Sequence, residues 1–314
     1  MSNTNMNSRK WFVIINPNAG NKAGFRDWEK ISSELNSQNI NYEFAFTKEK
    51  MHAVEISKTA VENGFRNVIV VGGDGTLNEV VNGFYLQNSV PVYELTIAMI
   101  PVGTGNDWCR TLEIPIEYNE AIRLIKNEKI FVQDIGIVKF QKAGNTITRY
   151  FVNVAGTGFD ADVAKKVNQD KENNKTGKIL YIKNLLGTLF SSKSKKYSIR
   201  IDGEQINCKV FSMCAGICKF NGAGMMQLPN AVPNDGLLDM TIIKTISKID
   251  VIRNVKNLYN GSFVSHRSVE THQGKHFLIE TSEKVDLEID GESVGHSPFE
   301  FSILPNSLNV ISEL

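Results

Sequence analysis

The chain of 314 residues is 41% hydrophobic and 22% charged, an ordinary globular composition with length for two domains, which excludes disorder, collagen and coiled coil. Lysine and arginine number 35 against 34 acidic residues, so the net charge of +1 supplies no general drive toward nucleic acid and any basic contact is local. The longest apolar runs, 68–71 and 95–102, fall far short of the roughly 18 residues that cross a bilayer. Residues 1–10 are polar and the apolar stretch 11–15 is too short for a signal-peptide core, so export is not expected. Cys109, Cys208, Cys214 and Cys218 form neither a disulfide framework nor a CxxC zinc pattern, and read as reduced, mostly buried thiols of a cytoplasmic protein.

In chain order, residues 11–15 predict a strand, and Trp28, Ile31 and Leu35 mark one face of a helix. A second strand follows at 42–46. Ala53, Ile56 and Ala60 repeat the helical spacing up to Gly64, and 68–71 reads as a buried strand. Leu77, Val80, Val81 and Phe84 make the next helical stripe, 97–101 another strand, and 107–112 and 119–127 two more helical stretches. This alternation predicts βαβ units around a doubly wound parallel sheet over residues 9–133. Beyond Asp134 the period shifts toward two, with Asp202-Gly203 and Asp290-Gly291 turns between strand-like runs such as 197–201 and 285–289. Residues 134–314 therefore read as a mainly β domain whose C-terminal segment has the option of packing back on the first. The exception is a helical stripe at 178–190 through Ile179, Ile182, Leu185, Leu186 and Leu189.

Three strands of the first half run directly into glycine-containing loops: Asn16-Pro17-Asn18-Ala19-Gly20, Gly72-Gly73-Asp74-Gly75-Thr76, and Gly103-Thr104-Gly105-Asn106-Asp107. In a parallel sheet all three emerge at the carboxyl edge, where helix N-termini offer free N–H groups to anions, so the loops should converge on a nucleotide phosphate. Neither GxGxxG nor GxxxxGK[ST] occurs there, which leaves the dinucleotide fingerprint and the P-loop unsupported. Asp74 and Asp107 would repel bare phosphate, but a carboxylate beside phosphate becomes favourable with Mg²⁺ between them. The pattern points to phosphoryl transfer rather than hydride transfer.

On these loops, together with Asn153 and Gly156, the run 235–239 (Asp-Gly-Leu-Leu-Asp) and Asp290-Gly291-Glu292, the sequence resembles the soluble diacylglycerol kinase catalytic-domain family of bacterial lipid kinases and sphingosine kinases. The resemblance implies transfer of the γ-phosphoryl group of ATP to a hydroxyl of a lipid such as diacylglycerol, an α/β nucleotide domain, a β-sandwich domain and a lipid-accepting cleft between them. It implies that ATP touches Asn16, Pro17, Asn18, Ala19, Gly20, Thr47, Gly73, Asp74, Gly75, Thr76, Leu77, Asn78, Glu79 and Thr104, with Asp74 and Asp107 at the Mg²⁺ end and Asp134 linked through water. A second, structural Mg²⁺ is implied at the Asp235 carboxylate and the carbonyls of Val232 and Leu237. The resemblance places the general base in Asp290-Gly291-Glu292. If the strand persists through Gly291, both carboxylates share a face. Glu292 as base with Asp290 orienting it is the first assignment; the reverse, or Asp74 as base, stays open. Phe220-Asn221-Gly222-Ala223-Gly224 departs from the family, with alanine in a run that is often all glycine.

The 178–190 stripe followed by Lys193, Lys195 and Lys196 would suit an interfacial helix on anionic lipid, but amphipathic helices more commonly pack on their own domain. His272 and His276 have metal spacing only on a helix, whereas Gly274 suggests a hairpin. The partners expected are a lipid substrate and a transient membrane surface, without nucleic acid; a homodimer stays open. A kinase for a soluble acceptor such as NAD, or a non-catalytic nucleotide- or lipid-binding regulator, are the alternatives.

Overall fold

Three apolar runs that bury almost every side chain build the centre of the first unit. The computed structural model describes residues 9–172 and 178–314, and divides into residues 1–133 with 307–314, and residues 134–306. The chain runs through β1 (Lys10–Ile15), α1 (Ala19–Arg26), α2 (Trp28–Ser37), β2 (Asn41–Phe46), α3 (His52–Glu62), β3 (Asn67–Gly72), α4 (Asp74–Leu86), β4 (Thr96–Pro101), α5 (Asp107–Thr111) and α6 (Tyr118–Asn127). It continues with β5 (Ile130–Lys142), β6 (Asn145–Phe151), β7 (Val154–Gly158), α7 (Phe159–Glu172), α8 (Lys178–Ser191), β8 (Lys195–Ile201), β9 (Glu204–Gly216), β10 (Leu238–Lys244), α9 (Lys248–Tyr259), β11 (Val269–Gly274), β12 (His276–Thr281), β13 (Asp286–Ile289) and β14 (Glu292–Ile311).

In the first unit the strands lie in the order β2-β1-β3-β4, all parallel, and Asn309 and Val310 at the end of β14 add a further parallel pairing to Thr96 and Ile97. Every residue of β4 is buried, as befits a central parallel strand covered on both faces. Helix α2 packs with α6 and α3 with α4, giving the two helical layers of an α/β sheet. The chain leaves β1 toward β2 on one side and leaves β3 toward β4 on the other. The β1/β3 boundary is therefore the switch point at which such sheets open a ligand crevice beyond their carboxyl ends.

In the second unit the pairings are antiparallel and close into a ring: β9 to β7, β7 to β13, β13 to β14, β14 to β12, β12 to β8 and β8 back to β9. The long strands β9 and β14 serve several neighbours along their length, β9 pairing with β7, β8 and β10 and β14 with β4, β5, β12 and β13, so the two faces share strands. Phe151, Phe277, Phe299 and Phe301 are fully buried, each contributing on the order of 2 kcal/mol of apolar burial. Phe151 and Phe301 meet edge to face with centroids 6.2 Å apart. The hairpin suggested by Gly274 is corrected: β11 pairs with β10, while β12 pairs with β8 and β14, so the chain changes neighbours between His272 and His276. The helical stripe at 178–190 is α8, although the side chains of Ile179 and Ile182 lie outside the described residues. All four cysteines are free, with Cys109, Cys214 and Cys218 buried.

Candidate active site

The three glycine loops converge. Asn16 Nδ2 donates to Thr76 Oγ1 at 2.9 Å, tying the turn after β1 to the start of α4. Gly20 has φ +59°, and a Cβ there would collide with the carbonyl oxygen of Val102, so only glycine lets the first loop lie against the third. The second and third loops meet backbone to backbone, since a Cβ on Gly103 would lie 2.7 Å from the Cα of Gly73. Thr47, just past β2, joins the same edge through its N–H to the Ile15 carbonyl at 2.8 Å. Thr104 is exposed at the tip of the third loop. The side chains of Leu77, Asn78 and Glu79 are buried in the body of α4. The Glu79 carboxylate accepts from the N–H groups of Met51 at 2.9 Å and Ala53 at 3.1 Å, capping the start of α3 rather than facing the loops.

The half-buried Asp74 carboxylate accepts from the N–H groups of Asp107 at 3.3 Å and Trp108 at 3.2 Å, so an acid of one loop caps the helix that opens the next. Loss of water pushes Asp74 above the usual carboxylate range, against the lowering effect of those amides. Asp74 Oδ2 and Asp107 Oδ2 lie 3.2 and 3.5 Å from the point where a Cβ of Gly105 would stand, so two hard oxygen donors border one small space that glycine leaves open. Asn106 Oδ1, buried in the same loop, has no hydrogen-bond partner among the described residues. Carboxylates and an orphaned amide oxygen form a donor set that fits Mg²⁺. Sequence reasoning passed over Asn106, although it stands inside the motif that carried the prediction.

In the second unit Asp290 (φ +46°) and Gly291 (φ +84°) form a two-residue hairpin turn between β13 and β14. The extended strand that would put Asp290 and Glu292 on a common face is thus corrected: the turn interrupts it, because Asp-Gly favours positive φ at both positions. Asp290, 5% exposed, accepts from the N–H groups of Val152 at 3.3 Å and Val154 at 3.1 Å. Glu292 pairs with Arg149, its Oε2 3.1 Å from Nη2. Asn153 donates to the Phe220 carbonyl at 3.0 Å, and its buried Oδ1 has no hydrogen-bond partner among the described residues. Ala223 holds φ +66°, a left-handed conformation that costs an L-residue about 1 kcal/mol, so the backbone keeps the glycine-like shape despite the alanine. Sequence reasoning missed Arg149, Asn221 and Glu288, which surround this turn.

At the 232–237 loop, Asp134 Oδ2 accepts from Gly236 N–H and Oδ1 from Asn306 N–H, both at 2.7 Å, and burial pushes Asp134 upward. Asp235 accepts from Leu237 N–H at 3.0 Å. Among the described residues no three His, Cys, Asp or Glu side chains gather closely enough to hold a metal ion. Any cation here would therefore rely on carbonyls such as those of Val232 and Leu237.

A model of the diacylglycerol kinase catalytic domain matches residues 10–138, and a model of the YegS C-terminal NAD kinase beta sandwich-like domain matches residues 153–312. A diacylglycerol kinase of Bacillus subtilis (strain 168) is 27% identical over 300 residues, covering 95% of each chain. A diacylglycerol kinase of Staphylococcus carnosus (strain TM300) is 25% identical over 298 residues, 95% of this chain and 93% of that one. The fold is also that of a diacylglycerol kinase structure from Bacillus anthracis, with TM-score 0.71, 22% identity and coverage of 98% and 97%. Yeast NADH kinase shares it more distantly, with TM-score 0.52, 12% identity and coverage of 97% and 83%. With one family model on each half and the converging loops inside the first, the chain belongs to the diacylglycerol kinase catalytic-domain family and is a phosphotransferase that acts on an alcohol acceptor.

Proposed function

We propose that the protein transfers the γ-phosphoryl group of ATP to a hydroxyl of diacylglycerol or a closely related lipid alcohol. The observation that carries the reading is the meeting of three glycine loops around the Asp74 and Asp107 carboxylates at the switch point of a parallel sheet. Main-chain N–H groups of residues 16–20, 73–76 and 104 would bind and orient the phosphates without an intervening Cβ. Mg²⁺, held by Asp74 and Asp107, would supply charge neutralisation at the phosphoryl oxygens. The Val232, Asp235 and Leu237 loop, with Asp134 beneath it, is a second and structural cation position.

Glu292 is the base for the acceptor hydroxyl. The Asp290 carboxylate accepts from two main-chain amides and so positions the turn, whereas Glu292 pairs with the side chain of Arg149, which is able to shift as the substrate hydroxyl arrives. Asp74 remains the competing base. A lipid acceptor requires contact with a membrane surface, and no helix among the described residues is long and apolar enough to cross one. Leu186 and Phe190 of α8 and Ile249 and Ile252 of α9 are exposed, and exposed Lys193 and Lys196 follow α8. Lys248 Nζ donates to the Ser192 carbonyl at 2.6 Å, which pins the start of α9 to the end of α8. This pair of helices suits peripheral, cytoplasmic docking on anionic lipid.

The test is incubation of purified protein with labelled ATP, Mg²⁺ and mixed micelles carrying diacylglycerol, sphingosine or no lipid, with NAD as a soluble acceptor in parallel. Label in phosphatidic acid is the expected result. Label in NADP, or in no acceptor, refutes the reading.

A further inference from the structure

Two residues before the Asp290-Gly291 turn, β13 carries an acid that sequence alternation would turn toward solvent. Glu288 is instead 2% exposed. Its Oε1 accepts from Asn221 Nδ2 at 2.9 Å and its Oε2 from Gly291 N–H at 2.9 Å. Asn221 belongs to the turn carrying Ala223, which is closed by reciprocal main-chain bonds between Asn221 and Met225. Asn221 also donates to Gln227 Oε1 at 3.3 Å, and Gln227 donates to Asp160 Oδ2 at 3.3 Å. Across the sheet a Cβ on Gly156 would lie 2.9 Å from Glu288 Oε1, so β7 leaves the room that this carboxyl fills.

We propose that Glu288 is a positioning residue for phosphoryl transfer, its carboxyl clamping the Gly291 amide to the Asn221 turn and thereby setting the direction in which Asp290 and Glu292 leave the hairpin. The inference rests on the reading that this hairpin carries the base. The carboxyl is held in its neutral form, against the Asn221 and Gly291 N–H donors that favour the ionised one, because it is buried with Asp160 on α7 and Asp290 in the turn facing it. Burial first, and then Asp160, push Glu288 up to about 8. An ionised Glu288 would repel Asp290 and spread the turn.

The test compares wild type with Glu288→Ala and Glu288→Gln by kcat and by KM for ATP and for lipid in mixed micelles, from acid to alkaline pH, with circular-dichroism melts. Glu288→Ala should lower kcat about 10²-fold with KM for ATP within about twofold, because nucleotide binding does not involve the clamp. Glu288→Gln offers one acceptor oxygen to the two donors, so its kcat at neutral pH should lie between those of Glu288→Ala and the wild type, without the wild-type fall in kcat above about pH 8. Wild-type kcat in Glu288→Ala, or an unchanged alkaline fall in Glu288→Gln, overturns the inference; should the alanine variant not fold, the glutamine profile decides alone. Asp290→Asn and Glu292→Gln are assayed alongside. If both keep full turnover, the base reading falls and the clamp with it; if they lose turnover while Glu288→Ala does not, the clamp alone falls.

Discussion

Replacing Glu288 by glutamine should make the protein less stable in acid and more stable near neutrality. Folding raises this carboxyl from an ordinary value of 4.5 to about 8. Between those values the unfolded chain has released the proton while the folded chain keeps it. Stability therefore declines as pH rises through the window and levels off above the folded value. The slope is about 1.4 kcal/mol per pH unit, so between about pH 5 and about pH 7.5 the wild type should lose roughly 3 kcal/mol through this group. A glutamine has no such dependence. Its single amide oxygen replaces two acceptors, however, and the weaker bonding to Asn221 and Gly291 costs about 1 kcal/mol at every pH. The variant should thus fall below wild type near pH 5 and exceed it by about 2 kcal/mol near pH 7.5. Asp160, pushed up to about 6 by burial, titrates in both proteins and is coupled to Glu288, so the comparison between them reads Glu288 together with its effect on Asp160. Urea unfolding at the two pH values reads the difference. Parallel pH dependence in the two proteins would falsify the premise that Glu288 folds in its neutral form.

Asp74→Asn should lower turnover by about 10²-fold or more, since it removes charge where the phosphoryl group gathers it. Its melting temperature at pH 7 should not fall: burial raises Asp74, so the ionised form is the one that costs stability above the ordinary carboxylate range. Loss of stability with intact phosphoryl transfer would show that Asp74 is only a cap for α5. Gly20→Ala should raise KM for ATP about tenfold or more, because the added Cβ must push the first loop off Val102 and also occupy a left-handed φ costing about 1–2 kcal/mol; an unchanged KM would mean that the loop contributes nothing to nucleotide binding. Ser247→Ala removes an acceptor for the Asp250 N–H, 3.1 Å away at the start of α9, and should cost about 1 kcal/mol in a denaturation experiment.

The sequence by itself determined the βαβ half, because 11–15, 68–71 and 97–101 are apolar runs that survive only as covered parallel strands, and each ends in a glycine loop. It also determined which loops meet, since the carboxyl edge of a parallel sheet leaves them no other place. Tertiary structure decided what local pattern does not carry. Glu79 falls in the motif that matched the nucleotide loops, yet its carboxylate turns to the amides of α3, a segment 26 and 28 residues away in sequence. Glu288 should face water by alternation with Leu287 and Ile289, but α7 packs on β13 and buries it beside Asp160. The Asp290-Gly291 pair signals a turn, while the amides that its aspartate accepts from, at Val152 and Val154, lie 138 and 136 residues away in sequence. Periodicity reports which face of one element is apolar; which element covers that face is a property of long-range packing, and the buried acids of this protein are set by the second.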